Sequence, residues 1–164
     1  MCSLIVSCVS IPPPSTEEVA ILQRAREDQA RGDHDWVLHD MEKYLEDHPQ
    51  GSLSAQAHIL AGDAARGQVD AARAKKEITG IILETYIAPF MKKAYDNYVK
   101  AAEKAVEDDT AAEALYKAAF MLDIEYMKNF ESAMTLYGQV VEKYKGTTWA
   151  GKAQERYDNL KDKF

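Results

Sequence analysis

The chain has 164 residues, a length that suits one compact domain or one short repeat array and that folds without a metal or disulfide staple. Its 20 lysines and arginines against 27 aspartates and glutamates leave a net charge of -7, which argues against an unaided nucleic-acid binder and against adsorption to an anionic lipid surface. Both cysteines, Cys2 and Cys8, fall in the first eight residues, so the remaining chain can build neither an internal disulfide nor a CxxC site for zinc or redox work.

Residues 1–15 read as an extended tail, because Pro12, Pro13 and Pro14 favour polyproline geometry over helix. Residues 16–164 read as one helical domain. They are rich in alanine and poor in glycine, and no stretch alternates like a strand. Ser15 with Glu18 forms a capping box that starts a helix over 17–31. Gly32 ends that helix and Asp33 caps the next, over 34–47. Pro49 and Gly51 mark the following turn, and Gly67 ends a third helix over 52–66. A middle helix then runs over 69–107, about 60 Å long at 1.5 Å per residue, with Pro89 kinking or splitting it. Thr110 with Glu113 gives a second capping box and a helix over 110–127. Breaks at Lys128 and Asn129 and at Lys145 to Thr148 leave two last helices, over 130–144 and 148–162.

The clearest periodicity is Ala133, Leu136, Tyr137, Val140, Val141 and Tyr144, which share one helical face. Val37, Met41, Tyr44, Leu45 and His48 stand 96 residues before Ala133, Tyr137, Val140, Val141 and Tyr144. The register continues through Leu53 and Ala57, 96 before Trp149 and Ala153. The chain therefore contains an internal repeat of helix, turn, helix units.

At these residues the sequence resembles the tetratricopeptide repeat, in the variant found in bacterial periplasmic proteins such as those of the outer-membrane barrel-assembly and Tol-Pal systems. Gly32, Asp33, Val37, Tyr44, Leu45, Pro49, Ser52 and Ala57 carry the resemblance in the first copy. Ala133, Tyr137, Val140, Val141, Tyr144, Trp149, Ala153, Tyr157 and Leu160 carry it more closely in the second. The resemblance implies helical hairpins stacked in an α-α superhelix, about seven helices in all, with alanines of one helix accepting bulky side chains from its neighbour. Val37 and Lys145 depart from the pattern, which has alanine and proline there. The 96-residue offset also falls short of three periods of about 34 residues, so something between the copies is irregular.

Ile5, Val6, Ser7 and Cys8 resemble a bacterial lipobox, which would make Cys8 a lipidated mature terminus and the proline-rich stretch a tether. Seven residues without positive charge are too few for a secretory signal, so that reading needs chain upstream of Met1. The alternative is an apolar tail with two incidental cysteines. The most apolar internal window, residues 78–91, is too short and too polar to span a membrane.

Nothing in the sequence specifies catalysis or a cofactor. His34, His39, His48 and His58 lack the i, i+4 spacing of a metal-binding helix face, and no GxSxG, GxxxxGK or GxGxxG run occurs. The candidate binding residues are aromatic and aliphatic: Ile82, Tyr86, Phe90 and Tyr95 on the middle helix, Tyr116 and Phe120 on the next. With Ile87, Met91, Tyr98 and Val99 they wrap several sides of the middle helix, which other helices of this domain or a partner must cover. The reading is a non-enzymatic adaptor or scaffold that binds a protein partner, one with a basic segment in view of the net charge, in the bacterial periplasm and anchored to the outer membrane through Cys8. The alternative is an obligate structural subunit that uses the middle helix as a permanent interface.

Overall fold

The computed structural model describes residues 12–74, 82–123 and 127–162. They form α1 (Thr16–Arg31), α2 (His34–Asp47), α3 (Ser54–Ala74), α4 (Ala88–Lys104, preceded by a π turn at Leu83–Ile87), α5 (Asp108–Asp123), α6 (Phe130–Lys143) and α7 (Thr148–Lys161). No strand occurs among the described residues, and the fold is all-α.

Most helix ends follow from local chemistry. The Ser15 hydroxyl accepts from the Glu18 N–H at 3.1 Å while the Glu18 carboxylate accepts from the Ser15 N–H at 2.8 Å, the reciprocal cap expected of that spacing. The same carboxylate takes the Tyr44 hydroxyl of α2 at 2.9 Å. Bonds from the backbone and hydroxyl of Ser15, then from Tyr44, hold Glu18 below the ordinary carboxylate range. Gly32 closes α1 at φ 85, a left-handed turn that glycine adopts without strain. Asp33 occupies the cap position of α2, but its carboxylate lies 3.3 Å from Arg31 and caps nothing, contrary to the sequence expectation. At the later breaks Asn129 accepts from the Ser132 N–H at 3.2 Å and Thr147 from the Ala150 N–H at 3.1 Å.

The middle of the chain differs from its sequence reading. Gly67 ends no helix, because α3 runs through it to Ala74. A Cβ on Gly67 would fall 2.5 Å from the His34 ring, so the missing side chain serves packing rather than a turn. A single helix over 69–107 is also excluded. Residues 69–74 belong to α3, and α4 lies antiparallel to α3, with Tyr98 against Gly62 and Tyr86 against Gln68. Pro89 neither splits nor ends α4. The π turn before it, closed by the Ala88 N–H on the Leu83 carbonyl, accommodates the ring, which stands in the first turn of α4. Thr110 and Glu113 form no capping box, since α5 starts at Asp108 and Glu113 pairs with Lys117 at 2.8 Å.

The internal repeat is present in the backbone and is larger than a hairpin. α2 and α6 begin and end 96 residues apart. The left-handed Gly32 is matched by Lys128, the described non-glycine residue with positive φ, at 45. Val37, Met41 and Tyr44 are buried like Ala133, Tyr137 and Val140. The equivalence extends backward, where Leu22 and Ala25 of α1 match Ala118 and Met121 of α5, and forward to Ala57 and Ala64 of α3, which match Ala153 and Leu160 of α7. Two three-helix units, α1 to α3 and α5 to α7, therefore flank α4, which is the irregular element between the copies.

Each helix packs on the next. α1, α3, α5 and α7 also touch in succession, whereas among the described residues α2, α4 and α6 do not approach one another backbone to backbone. One layer is closed and the other open, the packing of an α-α superhelix. α3 can take α1, α2, α4 and α5 as neighbours because much of it is alanine and glycine. The face by which α3 seats α4 includes His58, Ile59, Gly62 and Ala65. The equivalents in α7 are Gln154, Glu155, Asp158 and Lys161, so α7 presents a polar face outward.

Candidate functional site

The structure distributes the six sequence-predicted binding residues over several environments. Ile82, Phe90 and Tyr95 are half-buried against the core, and Tyr95 touches both of its main apolar clusters. Tyr86 remains 41% exposed, with its ring 4.9 Å from that of Phe90 and its hydroxyl donating to Gln68 at 3.0 Å. Gln68 in turn donates to Asp35 of α2. Tyr116 and Phe120 lie on α5 in the closed layer. The Tyr116 ring stands 5.6 Å from Tyr137 and 5.3 Å from Trp149. Phe120 carries the Arg66 guanidinium of α3 at 4.8 Å and that of Arg156 of α7 at 5.1 Å, cations held by the negative face of the ring. The middle helix buries Ile87, Met91, Ala94 and Tyr98, covered by its own neighbours α3 and α5. Cys8 lies outside the described residues.

Two polar clusters fix the closed layer. Lys117 of α5 donates to both oxygens of Asp63 of α3, at 2.9 and 2.8 Å, and pairs with Glu113 at 2.8 Å. The buried Tyr98 hydroxyl of α4 donates to Asp63 at 2.8 Å, which ties three helices to one carboxylate. Burial, then the charge of Asp63, pushes the Tyr98 hydroxyl well above its ordinary range, so it remains a donor. In the second unit Asp123, with its side chain 8% exposed, accepts from the Tyr137 hydroxyl at 3.2 Å and meets Arg156 at 2.5 Å. In each cluster one carboxylate gathers donors from neighbouring helices, the arrangement of a structural clamp, and in the second the buried Arg156 Nε is left without a partner among the described residues. No group of three or more His, Cys, Asp or Glu among the described residues converges on a metal position.

The open layer holds a groove of about 920 Å³ between α2 and α4. Glu42, Leu45 and Glu46 line one wall, and Lys92, Lys93, Lys100 and Lys104 stand on the other. Lys93 reaches across to Glu42 at 2.7 Å, and Lys104 donates to the Pro49 carbonyl at 2.7 Å. Both helices run the same way along it, since 42 faces 93 and 49 faces 104. The rim is therefore mixed, acidic along α2 and basic along α4, although the chain as a whole is acidic.

His58 of α3 is 7% exposed and forms part of the groove lining. Asn97 donates through its amide to the Lys93 carbonyl at 2.9 Å, so its oxygen faces His58 as an acceptor. The His58 Nδ1–H donates to it at 2.8 Å. Burial lowers the His58 pKa from its ordinary 6.5; the Asn97 bond opposes that, while the charges of Lys100 and Lys104 add to it. An unfolded chain therefore takes the proton before the folded one. Stability contributed by neutral His58 is full above pH 6.5 and lost as the pH falls toward the folded value. We expect the unfolding free energy to fall between pH 7 and pH 5, by at most about 1.4 kcal/mol per pH unit for one proton. The His58→Gln variant should flatten that slope, and urea titrations at several pH values check it.

Sequence reading passed over one residue. Trp36 sits on α2 beside the apolar frame and is 67% exposed. The available signal was its place one residue before Val37, at about 100° from the buried face. No helix among the described residues is long and apolar enough to cross a membrane. In comparisons with protein families, curated proteins and solved structures, the chain matches none of them.

Proposed function

We propose that this chain is a non-enzymatic helical-repeat scaffold that holds a segment of a protein partner in the groove between α2 and α4. The observation that carries the reading is the asymmetry of the two layers. In the closed layer Lys117 and Arg156 are paired with Asp63 and Asp123, whereas the open layer leaves a long concave groove with Leu45, Pro49 and Pro89 among its lining and charges of both signs along its rim. A partner segment with acidic residues toward α4 and basic residues toward α2 fits such walls. The resemblance to periplasmic tetratricopeptide proteins extends the proposal to the bacterial cell envelope, with Cys8 as the lipid anchor. Between an adaptor and an obligate subunit, the cover that α3 and α5 give the middle helix favours the adaptor, since Tyr98 is buried, Phe90 and Tyr95 are half-buried, and Tyr86 is the one aromatic residue there left exposed among the described residues.

A photoreactive residue placed at Asp96, inside the groove, is expected to give a discrete adduct with a partner in cells of the source organism. The same residue at Asp158, on the polar face of α7, should give none. Adducts from both positions, or from Asp158 alone, would contradict the groove as the binding site.

A further inference from the structure

Trp36 is the most exposed aromatic side chain among the described residues, and no packing in its own unit requires it. The internal repeat supplies the comparison. α2 and α6 share their boundaries and their buried positions, yet the residue equivalent to Trp36 is Ser132. The neighbours on the same strip of α2 differ in the same sense. Asp33, Asp40 and Asp47, seven residues apart, stand where α6 carries Asn129, Leu136 and Lys143. At about 100° per residue the three aspartates lie within about 60° of Trp36 on the helix surface. The fold thus makes the same helix with a serine, an uncharged cap and an apolar residue, and uses an exposed tryptophan with three carboxylates only in the first unit.

Asp40 and Asp47 have no ion-pair partner among the described residues, and both line a cleft of about 370 Å³ between α1 and α2, with Ile21 and Tyr44 also in its lining. Asp33 is paired with Arg31, and Lys43 is the cation on the strip. Tryptophan is the side chain whose ring best holds a cation, and it is enriched where interfaces concentrate their binding energy.

We propose that the Trp36 face of α2 docks a basic segment of a partner protein, with one cation over the indole ring and others on Asp40 and Asp47. A phosphate-bearing partner is disfavoured, because the same carboxylates repel it. The distances set the spacing of the segment. Trp36 to Asp40 is about 6 Å along the helix and Asp40 to Asp47 about 10 Å. An extended chain at about 3.3 Å per residue covers these in two and three residues, which gives cations at positions 1, 3 and 6. The face lies on a different side of α2 from Glu42, Leu45 and Glu46, so it stands independently of the groove.

The test uses the full chain with Trp149→Phe, which leaves Trp36 as the sole indole, and the peptide Arg-Gly-Arg-Gly-Gly-Arg as probe. We expect a saturable change in Trp36 fluorescence that weakens with added salt and is not produced by the same peptide with glutamate for arginine. By calorimetry the otherwise unaltered chain should lose affinity about tenfold in Trp36→Ser, which copies the second unit and leaves the melting temperature unchanged, and similarly in the double variant Asp40→Asn, Asp47→Asn. Absence of binding at millimolar peptide, or variants that bind as the unaltered chain does, would overturn the proposal. So would sedimentation showing a dimer that Trp36→Ser dissociates, because the face would then be occupied by a second copy.

Discussion

Replacing Gly62 by alanine should destabilise the protein by about 2–3 kcal/mol and lower its melting temperature by about 5–10 °C, although alanine is the better helix former by about 1 kcal/mol. The added Cβ would lie 2.5 Å from Cε1 and 2.8 Å from Cδ1 of Tyr98. That ring is fully buried, and its hydroxyl is fixed on Asp63, so it cannot retreat without breaking the bond that joins α3, α4 and α5. Gly67 gives the contrast. Its Cβ would meet His34 equally closely, but His34 is half-buried in the first turn of α2 and can swing toward solvent. Gly67→Ala should be near neutral, or stabilising by up to about 1 kcal/mol. Urea unfolding of both variants checks the pair. A Gly62→Ala protein as stable as the parent would show that Tyr98 does not occupy this notch.

The equivalence of the two units makes a second prediction. Met41 and Tyr137 occupy the same position 96 residues apart, and both are fully buried. Met41→Ala should cost about 2–5 kcal/mol and Tyr137→Ala about 3–5 kcal/mol. Tyr137→Ala also removes a donor from the buried Asp123 carboxylate, whereas Tyr137→Phe isolates that bond at about 1 kcal/mol. Substitutions at Gln154 or Glu155, on the outward face of α7, should stay within about 0.5 kcal/mol. If Met41→Ala were as mild as a surface change, the first unit would not be packed like the second.

The helix ends governed by short-range chemistry were readable from residue types. Ser15 with Glu18, Gly32, Asn129 and Thr147 do what their side chains favour locally. The apolar frame of α2 and α6 was readable for the same reason, since burial must recur at helical spacing. The misread positions are those where a contact that the local pattern does not specify decides. Gly67 resembles a stop, but in α3 it is a notch for His34 from another helix. Glu113 resembles the far half of a capping box, but Lys117 claims it. Pro89 signals a kink, and the π turn that accommodates it has no sequence signature of its own. The first helix of each unit stayed hidden because Leu22 and Ala25 correspond to Ala118 and Met121, which share burial but not size. Of the candidate binding residues, spacing could place them on helices. It could not show that the middle helix would spend its aromatic faces on its own neighbours, nor that Trp36 would be left outside.

Two three-helix units repeat at an offset of 96 residues on either side of α4. Backbone NMR assignment of the full chain reads this repeat through Cα shifts and φ-dependent couplings. Helices should run over 34–47 and 130–143, with Gly32 and Lys128 both left-handed just before them. A helix continuing unbroken through Lys128, or strand shifts in either unit, would contradict it.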